Sequence, residues 1–267
     1  MEVREMGDTG VLLPEVGIGT WKFSGGVEPI QRAISLGATH VDTAEMYGTE
    51  DVVGQALKGR RDQVFLATKV SGSHLRYDEV MSAADGSLAR LGVDHIDMYI
   101  VHWPNSRVPI AETMSAMEDL VEQGKVRYIG VSNFSVRELK EAQGAMTKHR
   151  IVSNQVLYNL RERRIERDLI PYCKETGVTV VAYTPLDSGA LSDKPLIRGR
   201  QGVRALESVA GEVGKTKAQV ALNWCLSREN VITIPKANRV EHVEENCGAS
   251  GWMLSSEQVR ILDEAFG

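Results

Sequence analysis

The sequence predicts a closed α/β barrel of the (β/α)8 type, a TIM barrel, with a β-hairpin ahead of it and an extra helix behind it. Three observations predict this fold. Eight short apolar runs rich in β-branched residues recur along the chain, and near-continuous hydrophobicity of that kind suits parallel strands buried on both faces. Longer amphipathic stretches alternate with these runs, and the connections between them are short, which favours a barrel over an open sheet. A doubly wound dinucleotide-binding sheet would need a Gly-x-Gly-x-x-Gly turn after its first strand, and Gly17-Ile18-Gly19-Thr20 is not that turn.

The elements follow in order. Residues 3–6 and 11–13 flank a Gly7-Asp8-Thr9-Gly10 turn and read as a hairpin suited to plug the N-terminal end of the barrel. The eight strands are expected at 15–19, 39–43, 64–70, 96–102, 127–131, 152–156, 178–183 and 231–234. Between them lie helices. Over 110–123, Ile110, Met114, Met117 and Val121 recur at helical spacing, with Glu112, Asp119 and Glu122 elsewhere on the wheel. Ser135, with Glu138 three residues on, forms an N-cap signature for a helix running toward Met146. Gly37, Gly92, Gly124 and Gly177 each follow a helical stretch and precede a strand, as C-terminal stops should. The stretch 186–202 mixes Gly, Asp, Ser, Pro and Arg and is expected to be a mobile loop. A last helix is expected over 255–266. No compositional boundary divides the chain, so a single domain over 1–267 is expected.

Composition narrows the functional classes. A chain of 267 residues that is 42% hydrophobic can bury the core of one barrel without further division. The net charge of −5 and a pI near 5.8 provide no basic face for nucleic acid. Residues 1–8 are polar and carry both signs of charge, unlike a signal peptide, and the longest apolar runs are too short to span a membrane. Cys173, Cys225 and Cys247 are widely spaced and odd in number, so neither a disulfide framework nor a zinc knuckle is expected, and a reducing cytoplasm is. The six histidines show no ligand spacing, so no metal is expected. Nothing announces an interface, so a monomer is expected.

Four side chains fall at or just after the ends of three consecutive strands: Asp42, Tyr47, Lys69 and His102. A parallel barrel gathers such positions at its C-terminal face. Alone, each has a plain structural reading, as a helix cap, a packed ring, a solvated ammonium or a core imidazole. Together they can deliver a proton to a carbonyl undergoing reduction. Tyr47 supplies the proton, although a free phenol titrates near 10, which is high for an acid at neutral pH. Lys69 is expected to lower that value, with Asp42 holding the ammonium as an ion pair. His102 is expected to donate a hydrogen bond to the carbonyl oxygen.

These residues stand among others that resemble the aldo-keto reductase family over essentially the whole chain. The matching motifs are Gly17-Ile18-Gly19-Thr20-Trp21, Asp42 to Tyr47, Lys69, His102-Trp103-Pro104, Gly130-Val131-Ser132-Asn133-Phe134, Asn154-Gln155, Tyr183-Thr184-Pro185-Leu186, and Ile234-Pro235-Lys236 with Asn246. The resemblance implies a nicotinamide cofactor. Ser132, Asn133 and Gln155 would hydrogen-bond its carboxamide, and Tyr183 would stack on its ring. Thr184 and Leu186, with Pro185 between them, would approach the pyrophosphate, and Gly19, Thr20, Trp21, Asp42, Ile234, Pro235 and Ala237 would complete the cofactor walls.

Family members that prefer NADP(H) usually follow the lysine matching Lys236 with Ser or Thr and place Arg six positions after it. Here those positions are Ala237 and His242, while Asn246 is kept and would contact adenine. Lys236 and Arg239 can still neutralise a 2′-phosphate, and His242 adds full charge only when protonated. NADP(H) is therefore the expected cofactor, with NAD(H) use possible.

Trp21, Met46, Tyr47, His102 and Trp103 are expected to line the substrate pocket, with Trp252 capping it in part. The short connection at 103–109 and the lack of a long C-terminal extension imply an open pocket for small aldehydes, ketoses or α-dicarbonyls. Two other classes remain: a barrel lyase using Lys69 as a Schiff-base nucleophile, which the Asp42 ion pair disfavours, and a cofactor-sensing binding subunit with little turnover.

Overall fold

The structure is a computed structural model and describes residues 1–192 and 200–267. Strands β1 (Val3–Glu5) and β2 (Leu12–Pro14) pair antiparallel as the expected hairpin. Eight parallel strands follow: β3 (Ile18–Gly19), β4 (His40–Asp42), β5 (Phe65–Val70), β6 (Ile96–Val101), β7 (Val126–Ser132), β8 (Ile151–Leu157), β9 (Thr179–Tyr183) and β10 (Val231–Thr233). Each pairs with its neighbour in chain order. The ring closes where Val16 bridges Thr233 in parallel and the Gly17 and Thr233 amides donate to the Thr233 and Glu15 carbonyls. The expected first strand over 15–19 is therefore shared, its upper half pairing with β4 and its lower half with β10.

The helices are α1 (Val27–Ser35), α2 (Glu50–Leu57), α3 (Tyr77–Leu91), α4 (Ile110–Glu122), α5 (Val136–Ala145), α6 (Leu169–Glu175), α7 (Arg200–Val213), α8 (Lys217–Leu226), α9 (Val240–Cys247) and α10 (Ser256–Phe266). The helix over 110–122 buries Met114, Met117 and Leu120 against the sheet, as its periodicity requires. Ser135 accepts a hydrogen bond from the Glu138 amide while the Glu138 carboxylate returns to Ser135, completing the capping box before α5. Gly92 ends α3 at φ 64°, a left-handed position that a β-carbon would strain.

The stretch 186–202 is only partly the loop its composition suggests. Asp187–Gly189 forms a 3-10 turn, and residues 200–202 already belong to α7. Residues 193–199 of that stretch lie outside the described residues.

Two apolar layers hold the barrel. The larger lies between the sheet and the helices. The inner one comprises Ala67, Met98, Ile100, Val152, Val181, Ile232 and Ile234, closed from below by Met6 and Leu13 of the hairpin segment. The hairpin thus plugs the barrel floor, so a ligand can enter only from the C-terminal face.

Candidate active site

Side chains along a strand alternate between the two faces of the sheet. The inward set on β4 is His40 then Asp42; on β5 Phe65, Ala67, Lys69; and on β6 Met98, Ile100, continuing to His102. On β7 it is Tyr128, Gly130, Ser132; on β8 Ser153, Gln155; and on β9 Val181, Tyr183. A β-carbon at Gly130 would lie 2.6 Å from Ser153 Oγ, so any other residue at that waist would push the Ser153 hydroxyl aside. The polar residues are the topmost members of faces that are apolar below, which is why strand-end residues converge.

Lys69, fully buried, donates from Nζ to Asp42 Oδ1 at 2.6 Å and to the Thr43 carbonyl at 2.7 Å. The second Asp42 oxygen accepts from Gln155 Nε2 at 2.8 Å. Tyr47 rides on the 3-10 turn Glu45–Tyr47 after β4, and its hydroxyl lies 3.2 Å from His102 Nε2. Glu45 anchors that turn by accepting from the Ser71 amide and pairing with His74 Nδ1 at 3.1 Å. Asn133, at φ 64°, donates to the His102 carbonyl at 3.1 Å and accepts from the Tyr183 hydroxyl at 2.9 Å. Ser132 Oγ donates to the Gln155 carbonyl at 2.8 Å. One polar network therefore runs around the rim.

Its electrostatics differ from expectation at one point. Burial, and then the Asp42 carboxylate, push the Tyr47 phenol well above its ordinary range, so the expected lowering by Lys69 is not found. Burial, assisted by the Lys69 charge, lowers His102 to about 4, which leaves a neutral imidazole at pH 7. Its buried Nδ1 has no hydrogen-bond partner. An orphaned buried N–H is rarer than an orphaned acceptor, which favours the tautomer with its proton on Nε2, facing Tyr47. Burial also draws the Lys69 ammonium below its usual range, and Asp42 opposes that.

A cavity of about 940 Å³ opens over this network and extends across the rim to α9. Every residue expected at the site lines it except Thr20, Lys69 and Trp252. Thr20 is buried behind the wall, where its Oγ1 donates to the Asp42 carbonyl at 3.0 Å and meets Thr49 Oγ1 at 2.9 Å. It steadies the backbone under Asp42 and is not a cofactor wall. Lys22, Ser188, Asn238 and Glu245 also line the cavity, unforeseen from sequence. Glu245 had a readable signal, standing three residues after His242 on one helix face. Among the described residues, non-glycine positive φ values occur at Lys22, Asn133, Thr184, Asp187 and Ser188, and four of these five line the cavity. Backbone strain concentrated at a pocket marks a built site.

The profile of the Aldo/keto reductase family matches residues 15–266. The chain belongs to the aldo/keto reductase family. It is 37% identical to Methylglyoxal reductase YeaE of Escherichia coli (strain K12), over 96% of this chain and 92% of that one. Its fold matches the crystal structure of the thermostable aldo-keto reductase Tm1743, bound to the inhibitor epalrestat. The TM-score is 0.92 at 42% identity, over 99% of this chain and 100% of the other. An aldo/keto reductase from Klebsiella pneumoniae, crystallised with NADP and acetate, gives a TM-score of 0.89 at 36% identity, over 99% of this chain and 95% of that one.

Three further expectations for this aldo-keto reductase can be placed. Trp252 does not cap the cavity: its Nε1 donates to the Gly248 carbonyl at 3.0 Å and Asn223 holds its carbonyl at 2.7 Å, so it belongs to the α8–α9 packing. Lys69 has no face on the cavity, so a carbonyl has no approach to its amine and the Schiff-base reading loses its nucleophile. Burial raises the Cys173 thiol to about 12 and Cys247 to about 11, which leaves both unreactive at neutral pH. Among the described residues, no helix is long and apolar enough to cross a membrane.

Proposed function

We propose that this aldo-keto reductase uses NADP(H) to reduce small aldehydes, ketoses or α-dicarbonyls to alcohols, and oxidises the alcohols when oxidised cofactor dominates. The observation that carries the reading is the pair of Tyr47 hydroxyl and His102 Nε2, 3.2 Å apart on the cavity wall, with the Lys69–Asp42 ion pair behind it.

The cavity suits a nicotinamide dinucleotide. Its volume lies at the upper end of ligand sites. Ser132, Asn133 and Gln155 offer amide and hydroxyl partners, Tyr183 offers a flat ring, and Lys236, Arg239 and His242 offer cations toward α9. NADPH held there would supply hydride to the carbonyl carbon. Tyr47, kept protonated by burial, donates its proton to the carbonyl oxygen. The neutral His102 donates from Nε2 to the same oxygen, orienting it and stabilising developing negative charge. The Lys69 ammonium, ion-paired to Asp42, lies over the Tyr47 ring, where it would offset part of the cost that burial and Asp42 place on the phenolate as the proton leaves. Trp21 and Trp103 shape the mouth and, being half-exposed, leave it open to several small carbonyls. The likeness to a methylglyoxal reductase supports the α-dicarbonyls.

The test is a fluorescence titration with NADPH and NADH, followed by addition of methylglyoxal or glyceraldehyde while nicotinamide absorbance is followed. Saturable binding with cofactor oxidation is expected. Binding without oxidation of cofactor by any small carbonyl would favour the sensor reading, and no binding would end both.

A further inference from the structure

His242 sits on the cavity wall in an unusual setting. The Arg239 guanidinium contacts its Nε2, and its Nδ1 faces Glu245 Oε2 at 3.5 Å. A guanidinium can only donate, so that Nε2 must carry a lone pair. In this arrangement Nε2 is the acceptor and the imidazole N–H is on Nδ1, toward Glu245. Other charged groups near it are Lys236, which lines the same cavity, and Glu241, which shares a neighbouring depression with Thr216 and Gln219 of α8. Arg32 of α1, across the helix, is taken by Glu244.

We propose that recognition of a 2′-phosphate here is coupled to proton uptake: binding of NADP(H), but not of NAD(H), places one proton on His242. The inference rests on the nicotinamide reading above. Lys236, Arg239 and His242 gather on the α9 stretch of the cavity, away from Tyr47, so the phosphate belongs there. A phosphate monoester is close to a dianion above about pH 6 and offers only acceptors. When its oxygens take the Arg239 N–H groups, Nε2 loses its donor and faces an acceptor. A proton from solvent then adds to Nε2, and no bond other than that N–H forms. The imidazolium donates to the phosphate from Nε2 and to Glu245 from Nδ1. The 2′-hydroxyl of NAD(H) brings no dianion and leaves the Arg239–His242 contact in place. Preference for NADP(H) therefore weakens as pH rises, because the bound phosphate raises the imidazole pKa and deprotonation above that value removes the gain.

The test is isothermal titration calorimetry with NADPH and NADH, in two buffers of different ionisation enthalpy, at roughly pH 7.5, where an imidazole without a phosphate is mostly neutral. NADPH binding is expected to take up a substantial fraction of a proton and NADH binding none. The NADPH Kd should rise by up to about tenfold per pH unit across the bound imidazole's titration, the limit for one proton, while the NADH Kd stays level. His242→Arg should abolish uptake and keep NADPH tight at every pH. His242→Gln should abolish uptake and weaken NADPH about tenfold, with NADH binding reporting that the cleft is intact. Binding of both cofactors without differential uptake, or uptake that survives in His242→Gln, would overturn the proposal. Binding of neither cofactor would overturn the nicotinamide reading and this inference with it.

Discussion

The Lys69 ammonium lies over the face of the Tyr47 ring, 4.9 Å from its centroid, while its hydrogen bonds go to Asp42 and the Thr43 carbonyl. Much of its charge is answered by Asp42, and burial dominates the phenol. Before any reaction the fold therefore holds Tyr47 firmly protonated.

Tyr47→Phe removes the proton and keeps the ring that packs on Trp21 at 4.9 Å. General acids contribute about 10²–10⁴-fold, so kcat for methylglyoxal should fall by that range. The NADPH Kd should stay within about twofold, because the hydroxyl acts chiefly in the transition state. Steady-state kinetics beside a fluorescence titration checks this, and a variant within about tenfold of wild-type kcat would show that Tyr47 is not the donor.

Lys69→Met should lose turnover and stability together. Asp42 is only 2% exposed, and without the ammonium it keeps Gln155 as its side-chain partner. An uncompensated buried charge costs about 3–5 kcal/mol. Adding Asp42→Asn removes that charge and should recover most of the stability but none of the activity. Urea unfolding and kcat measured on both variants separate the two effects. Recovery of activity in the double variant would mean that the ion pair is structural only.

Most of this site was legible in the sequence because barrel topology converts strand-end position into proximity. Asp42, Lys69, His102, Ser132, Gln155 and Tyr183 each continue an alternating inward face, and period-two patterning reveals that without any contact map. Thr20 and Trp252 were misplaced for the opposite reason. Thr20 follows the two-residue strand β3 and turns behind the wall, bonded to the Asp42 backbone. Trp252 depends on how α8, α9 and α10 pack, and the Asn223 side chain that fixes it is 29 residues away. The phenol's electrostatics were likewise hidden, because position tells which charges are near but not which partners already hold them.

Trp103→Ala should discriminate among substrates. Trp103 is 49% exposed and Trp21 47%, so each offers an incompletely covered apolar wall at the cavity mouth. A large carbonyl compound covers that surface and a small one does not. Partial burial of an aromatic is worth about 1–2 kcal/mol, so KM for an aromatic aldehyde should rise roughly tenfold. KM for methylglyoxal should barely move. An equal change for both substrates would place Trp103 in the scaffold and not in recognition.

Acid should destabilise the fold across a defined window through two histidines. Burial lowers both His40 and His102 from 6.5 to about 4. Between those values the unfolded chain binds protons that the folded chain refuses, so stability rises with pH and is lost as pH falls from about 6.5 toward 4. Each shift corresponds to a loss on the order of 3 kcal/mol. Burial would raise Glu118, but hydrogen bonds from the amides of residues 147–149 hold it near 2, so its contribution starts to be lost near 4.5, where the unfolded carboxylate takes up its proton, and is gone below about 2. His40 is fully buried, packs edge-on against Phe65, and has no hydrogen-bond partner on either ring nitrogen, so His40→Leu strands no polar group. That variant should lose about half of the pH dependence of unfolding free energy between pH 6.5 and 4.5, with activity near neutral pH largely kept. Urea unfolding across that range checks it, and an unchanged slope would mean that His40 titrates alike in the folded and unfolded chain.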